Sequence, residues 1–259
     1  MSRILPLSPK LAHQRWQRFT DYRHAEKLTT VPVVAPESAQ AAADMPLVFV
    51  KQGEQFVLSA LLGLARETNH CLNEQHGWEA GYVPAWLRTP PFRIIVPPGG
   101  KPSQRALGID QQSPWLDAAG DQGFEETLLD DQQQLTPAVK EVFEFLTKLE
   151  KHVVKTQQAV DALASHKLLT PWKLDPVAGT AVPHLYRIDE NAFHALPDDV
   201  FNTLRRKGAV AIAYTQMIST HQLPALKQRA QKTTVPKNID LDALFGEGGD
   251  GLSFDFDRS

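Results

Sequence analysis

Apolar residues recur at alternating spacings of three and four along one stretch of the chain, and this stretch gives the clearest structural prediction. The positions are Val139, Val142, Leu146, Leu149, Val153, Val160 and Leu163, with Thr156 filling the one gap. Such spacing places these side chains on one face of an α-helix. Thr136 and Pro137 stand at its start, where a hydroxyl residue followed by proline is favoured. We predict a long amphipathic helix packed on a sheet or on other helices, with a homodimer formed through this helix as the alternative.

Shorter apolar runs predict strands and further helices. PLVFV and FVLSALLGL, separated by KQGEQ, have the composition and loop length of a β-hairpin, and a third strand is expected to end near His70. FRIIV, ALGID and HLYRID predict further strands, whereas ESAQAAAD and PDDVFNTLRRKG predict short helices. GAVAIAYTQMIS and the following LPALKQRAQK favour helix, limited by Gly208 and Pro224. The predicted fold class is α+β: a mostly antiparallel sheet with a long packed helix and a smaller C-terminal α/β portion.

The first 30 residues are basic and predict an amphipathic arm. They carry six Lys and Arg side chains against two acidic ones. Their aromatic residues recur at a spacing of three: Trp16, Phe19 and Tyr22. This spacing indicates a helix whose aromatic face packs on the rest of the protein. An arm that contacts a partner or a membrane surface is the alternative.

The other end of the chain is acidic. Residues 31–232 are predicted to form a single α+β domain, and residues 233–259 an acidic flexible tail. Six acidic residues follow Asn238 in a Gly-rich context, which buries too little apolar surface to order itself. Leu and Phe residues interrupt the acidic run. They leave open a short linear motif that docks on a partner or on the basic arm.

The composition of the chain argues against several classes of function. The chain has 259 residues, 42% of them hydrophobic and 22% charged, and a formal net charge of -3. It therefore lacks the overall basic field of a nucleic-acid-binding protein, and no nucleic-acid partner is expected. The longest apolar runs fall well short of the roughly 20 residues that cross a bilayer, so no transmembrane segment is expected. The N-terminal sequence lacks the continuous apolar core of a secretion signal, and the expected location is cytoplasmic.

An aromatic cluster surrounds a single arginine in residues 78–92. Its members are Trp78, Tyr82, Trp86, Arg88 and Phe92. Neighbouring prolines restrict the backbone to extended conformations. One interpretation is architectural, with Arg88 stacked on an aromatic face or paired with a carboxylate such as Asp110. The other is a ligand groove, because aromatic walls with one guanidinium suit a peptide or glycan that carries an acidic group.

Motifs for catalysis, metals and cofactors are weak. His70, Cys71 and His76 lie close together, but their spacing is not a recognised zinc arrangement. Cys71 is the single cysteine, which excludes an intramolecular disulfide, and a buried inert thiol is favoured over a nucleophile. The phosphate-loop, Rossmann and serine-hydrolase patterns are missing from the sequence. We expect no metal and no cofactor, and we assign no catalytic residue.

The sequence around the cluster resembles the bacterial SapC-like family. The resemblance rests on Gly63-Leu64, Asn69, Gly77-Trp78, Tyr82-Val83-Pro84-Ala85, Leu87-Arg88 and Pro91-Phe92. It continues in LGID, LLTPWKL, LYRIDENAFHAL and GAVAIAYTQMIS, and it covers roughly residues 46–226. Thr89 stands where a second basic residue is expected. The resemblance implies a protein of about this length without an established catalytic motif, from a family named after a surface-layer locus.

These observations lead to one functional hypothesis with two alternatives. The chain is expected to be a SapC-like accessory or binding protein that recognises a polypeptide or glycan partner through residues 78–92, together with Asn69. The first alternative is a small enzyme, or an auxiliary subunit of one, with a pocket between the sheet and the later helices. The second is a surface-layer-associated component.

Overall fold

The computed structural model describes residues 4–101, 104–175 and 179–234 and has an α+β fold, which confirms the predicted class. Its α-helices are α1 (Ala35–Ala42), α2 (Pro137–Ser165), α3 (Glu190–His194), α4 (Asp198–Arg206), α5 (Ala209–Ser219) and α6 (Leu223–Thr234). Its strands are β1 (Ile4–Pro6), β2 (Arg15–Trp16), β3 (Thr30–Pro32), β4 (Leu47–Gln52), β5 (Gln55–Leu61), β6 (Phe92–Ile95), β7 (Ala106–Asp110), β8 (Leu116–Asp117), β9 (Glu126–Thr127), β10 (Leu169–Pro171) and β11 (Leu185–Ile188). Across these ranges the strands form three antiparallel sheets, ordered β10-β11-β4-β5-β3, β1-β7-β6 and β8-β2-β9.

The predicted hairpin is confirmed and forms the centre of the largest sheet. β4 and β5 pair over their full length, from Leu47 opposite Ala60 to Gln52 opposite Gln55. Gly53 lies at the turn with a φ of 60°, a conformation that glycine adopts without strain. The apolar residues at the ends of both strands farthest from the turn are buried, as expected for central strands covered on both faces.

The predicted third strand is wrong, because residues 62–70 turn back on themselves. The His70 amide donates to the Leu62 carbonyl over 2.8 Å. The Thr68 hydroxyl donates to the Ala65 carbonyl over 2.7 Å. A Cβ added to Gly63 would collide with Thr68, so this tight turn depends on glycine.

The predicted helix in the N-terminal arm is also wrong. β1 pairs with β7, and β2 lies between β8 and β9, so this segment completes two sheets. Its aromatic residues face different neighbours: the Trp16 ring centroid lies 4.8 Å from that of Phe92, and the Tyr22 centroid lies 5.5 Å from that of Trp78. Three aromatic residues at a spacing of three are too short a pattern to outweigh strand partners that come from distant sequence.

The long helix is confirmed and joins two parts of the core. Leu146 in its first half is buried with Trp16, Phe92 and other residues of the smaller sheets. Val160 in its second half is buried against the largest sheet and α5. Thr156, the polar gap in the apolar stripe, accepts a hydrogen bond from the Ala35 amide at the start of α1, over 2.8 Å. The polar residue in the apolar stripe therefore makes a specific hydrogen bond between α2 and α1.

The helical prediction for GAVAIAYTQMIS is confirmed as α5, which is fixed to the sheet by buried polar side chains. Gln216 donates to the Leu47 carbonyl over 3.1 Å and accepts from the Ile188 amide over 2.8 Å. The Ser219 hydroxyl accepts from the Leu47 amide over 2.8 Å. Both side chains are fully buried. They therefore provide partners for backbone groups at the start of β4 and the end of β11.

Within the described ranges, no helix combines the length and the apolar character that crossing a membrane requires. The predicted tail begins at residue 233, at the end of α6, and its residues 235–259 lie outside the described part of the chain.

Candidate functional site

Residues 78–92 form an irregular segment that is held together by its own hydrogen bonds. The Trp78 indole donates to the Tyr82 carbonyl over 2.9 Å. Pro84 is extended, with a φ of -55° and a ψ of 143°, and it directs the chain into a short 3-10 helix, Ala85–Arg88. Successive residues of this turn face opposite ways. Leu87 is buried, whereas Trp86 is half-buried and Arg88 is exposed.

A buried glutamate anchors this segment to α1. Glu37 Oε2 accepts hydrogen bonds from the Tyr82 hydroxyl and from the Ala85 amide, both over 2.8 Å. Its other oxygen accepts from the Val34 amide over 3.0 Å, at the start of α1. Charged acceptors of this kind form the stronger hydrogen bonds in proteins. Glu37 therefore sets the position of the segment relative to α1.

Arg88 stacks on aromatic rings, as the architectural interpretation predicted. Its guanidinium carbon lies 5.4 Å from the ring centroid of Phe145 and 5.8 Å from that of Tyr82. It also donates to the Tyr82 hydroxyl over 3.3 Å. Burial, together with the hydrogen bond to Glu37, raises the pKa of Tyr82 to about 12. The phenol is thus protonated at neutral pH and acts as a hydrogen-bond donor.

Arg88→Ala is expected to lower the free energy of unfolding by no more than about 1 kcal/mol, because exposed cation–π contacts contribute about 0.5–1 kcal/mol. Arg187→Ala is a matched control, since Arg187 stacks at 5.7 Å over Trp172, outside this segment. Urea unfolding of both variants measures the effect. A loss above about 2 kcal/mol for Arg88→Ala alone would mean that this arginine is mainly a structural residue.

Two of the predicted binding residues lie in the interior. Phe92 is fully buried against Trp16. Asn69 is buried as well, with its amide donating to the Ala25 carbonyl over 2.9 Å and its oxygen accepting from the Cys71 amide over 2.9 Å. Both side chains support the segment from inside. The other four predicted residues, Trp78, Tyr82, Trp86 and Arg88, keep some exposed surface.

A cleft of about 560 Å³ lies beside this segment. Its walls come from three regions of the sequence, and its lining residues are His24, Leu28, Thr30, Val31, Pro32, Trp86, Leu87, Thr89, Pro90, Pro91, Phe92, Arg93, Asp110, Gln112, Ser113 and Pro114. Among the predicted site residues, Trp86 and Phe92 line it. The volume falls within the range of small-ligand pockets, about 300–1,000 Å³, and the mixture of apolar walls with a few polar groups is typical of such sites.

Unpaired buried nitrogens are concentrated around this cleft. His24 Nε2 lies 3.2 Å from the Leu87 carbonyl, which can only accept, so Nε2 carries the proton and Nδ1 is left with a lone pair. His24 Nδ1 and Trp86 Nε1 are both buried without a hydrogen-bond partner. Across the described ranges the remaining side-chain atom of this kind is Trp115 Nε1, next to the lining residue Pro114. Because buried polar groups are nearly always paired, such a cluster needs an explanation.

Burial also determines the charge of His24. Desolvation is the largest influence and lowers the pKa of this histidine, against smaller opposing effects of the Leu87 carbonyl and Asp21. The ring is therefore neutral at neutral pH and presents a hydrogen-bond acceptor. Asp110 and Arg93 supply the charged groups of the lining.

The thiol and the neighbouring histidines do not form a reactive centre. Cys71 is fully buried, and burial raises its pKa to about 11 despite the Arg229 guanidinium 4.0 Å away. At neutral pH it is a protonated thiol, a poor nucleophile. Burial also lowers the pKa of His70. Over the ranges that the structure describes, no three His, Cys, Asp or Glu side chains come together as a metal site.

Two residues that organise the site, Glu37 and His24, are not among those predicted from the sequence. Glu37 follows Pro36 at the third position of α1, where an acidic residue often bonds back to the residue that precedes the helix, and this signal was readable. His24 falls within the predicted N-terminal arm, where nothing in the pattern marks it as a site residue. Its place in the cleft follows from long-range packing, for which the local sequence contains no signal.

Comparisons with known proteins give one match. No curated protein and no solved structure matches the chain. The SapC family model matches residues 8–226, which include the strands of the N-terminal segment from β2 onward, the cluster, the cleft and α5. The chain therefore belongs to the SapC family.

Proposed function

We propose that this protein is an accessory binding protein that takes up a segment of a polypeptide partner in the cleft beside Trp86. The observation that carries the proposal is the pairing of a cleft of about 560 Å³ with an indole donor and an imidazole acceptor that lack partners. A peptide group offers a carbonyl acceptor and an amide donor, which complement the Trp86 N–H and His24 Nδ1. Both nitrogens are covered in this structure, so the proposed contacts require the two side chains to turn toward the cleft. A glycan hydroxyl offers the same two functions and is the competing ligand.

The apolar walls support a polypeptide over a glycan. Trp86, Pro90, Pro91 and Leu28 contribute ring and aliphatic surface to the cleft. Leu28 is also one of the few exposed large apolar side chains in the described ranges, at 37% exposure. Apolar side chains of a peptide gain from burial against such walls by about 25 cal/mol per Å². Arg93 at the rim complements an acidic residue of the partner.

Trp86→Ala is expected to weaken partner binding about 30-fold, because central tryptophans at interfaces commonly contribute about 2 kcal/mol or more. Trp172→Ala is the matched control, since Trp172 is also half-buried but lies outside the cleft. Affinity capture from the source cell, followed by titration of the captured species, measures the effect. Equal binding by the wild-type chain and Trp86→Ala would reject the cleft as the site.

The same experiment separates the two ligand classes. A captured species that loses binding after protease treatment is a polypeptide, whereas one that loses binding only after glycosidase treatment is a glycan.

A small enzyme is the second candidate function, because the cleft also holds a neutral histidine, His24, and a carboxylate, Asp110. Turnover of the captured species that disappears in His24→Gln, with binding retained, would favour the enzyme.

A further inference from the structure

One wall of the cleft is the open edge of the largest sheet. Among the described residues, β3 is the last strand of that sheet and pairs with β5 only. The Thr29 carbonyl accepts from the Leu62 amide over 2.8 Å, and the Val33 amide donates to the Leu58 carbonyl over 3.0 Å. In an antiparallel pair, bonded positions alternate along the strand. Positions 29, 31 and 33 therefore face β5, and the backbone groups of Thr30 and Pro32 face outward.

These outward groups form a template for another strand. Thr30 presents an N–H and a carbonyl, and Pro32 presents a carbonyl, so an added strand gains up to three backbone hydrogen bonds. Thr30, Val31 and Pro32 all line the cleft. Open strand edges are the places where proteins pair with further chain segments.

The opposite wall favours an occupant with an extended backbone. Pro90 and Pro91 lack backbone N–H groups, so this wall offers few donors that compete with β3 for the backbone of the occupant. Trp86 beside them gives a flat apolar surface for alternate side chains. Arg93, whose side chain is exposed, adds a guanidinium to the lining, and Asp110 adds a carboxylate. The cleft thus suits an extended, partly acidic segment with apolar residues at every second position.

The chain contains a sequence of this kind in its last residues. Leu252, Phe254 and Phe256 alternate with Ser253, Asp255 and Asp257. A period of two is the pattern of a strand with one apolar face. The 17 residues between Thr234 and Leu252 reach about 60 Å when extended. This reach exceeds the diameter of about 45 Å expected for a chain of this size. The connection therefore allows the segment to reach the cleft.

We propose that residues 252–257 bind in the cleft as an additional strand on the outer edge of β3. The segment then competes with the partner for the same site, and only this competition rests on the proposed function. The pairing with β3 is a separate claim that is testable without any partner. In the isolated protein this segment fills the cleft, and a partner that binds the cleft more tightly displaces the segment.

Amide hydrogen exchange in the full chain tests the pairing at one atom. The Thr30 amide is expected to exchange about fivefold or more faster in the double variant Phe254→Asp and Phe256→Asp than in the wild-type chain. The Val31 amide faces β5, opposite Ala60, and its exchange is expected to remain unchanged. The matched control is Leu241→Asp with Leu244→Asp, which adds the same charge and removes apolar residues outside the alternating run. This control is expected to leave Thr30 unchanged.

Three results would overturn the proposal. The first is equal exchange of the Thr30 amide in all chains, and the second is equal acceleration by both double variants. The third is protection of the Thr30 amide that rises with protein concentration, because this result would mean that a second copy occupies the cleft. Partner capture by the same variants separates the two claims. Unchanged Thr30 exchange with intact, Trp86-dependent capture would reject only the tail segment. Altered Thr30 exchange without capture by any chain would reject only the proposed function.

Discussion

Leu146→Asp is expected to abolish the soluble folded protein. Leu146 lies on the buried face of α2 and is 1% exposed within a single chain, so its environment does not depend on a second copy. A carboxylate at this position has no described cationic partner in the surrounding apolar cluster. Burying an uncompensated charge costs several kcal/mol, which is comparable to a total stability of about 5–15 kcal/mol. Circular dichroism and yield of soluble protein measure the outcome.

Val154→Asp provides the control on the same helix. Val154 is 57% exposed, so a charge there remains hydrated and the expected change is within about 0.5 kcal/mol. If the Leu146 variant folded normally and a dimer of the wild-type chain became monomeric instead, the apolar face of α2 would be an interface between copies. That result would contradict the packing of α2 inside one chain.

Glu37→Leu is expected to lower the free energy of unfolding by about 3–5 kcal/mol. The substitution leaves the Val34 amide, the Ala85 amide and the Tyr82 hydroxyl without their acceptor. Each buried group that loses its partner costs about 1–3 kcal/mol, and such costs add incompletely. The segment that carries Trp86 also loses its anchor, so partner binding is expected to fall with stability. Urea unfolding and partner titration on one preparation give both quantities.

Two further variants test whether hydrogen bonding is the cause. Glu37→Gln retains one oxygen acceptor, and its stability is expected to lie between those of the wild-type chain and Glu37→Leu. Gln40→Leu changes an exposed residue of the same helix and is expected to have little effect. A loss below about 1 kcal/mol for Glu37→Leu would show that solvent replaces Glu37 as the acceptor, and that the contact with residues 78–92 is weak.

Long periodic patterns in the sequence predict this fold well, whereas short patterns do not. The apolar stripe of α2 repeats over seven turns, and no alternative arrangement satisfies so many positions together. The hairpin of β4 and β5 has two strong strands and a loop of suitable length. The aromatic spacing in the N-terminal segment involves three residues only. Its strands form because β7, β8 and β9 provide hydrogen-bonding partners.

The candidate site is predictable only in part, because contacts between residues distant in sequence assemble the cleft. Residues 78–92 stand out by composition, and the stacking of Arg88 follows from it. The cleft requires the pairing of β6 with β7, in which the Asp110 amide donates to the Pro91 carbonyl over 2.9 Å. It also requires His24, which is brought to Leu87 from 63 positions away. Such contacts depend on the complete tertiary structure, so local sequence carries no record of them.

The length of α2 has a consequence for how this protein tolerates change. Because its first half packs with the smaller sheets and its second half with the largest sheet and α5, both ends must keep their rotational phase. Inserting one residue near the middle would rotate one half by about 100° relative to the other and shift it by about 1.5 Å. Each apolar stripe would then face the wrong neighbour. The length of this helix thus fixes the spacing and orientation of the two parts of the core, and insertions or deletions are expected to be tolerated only in the loops around it.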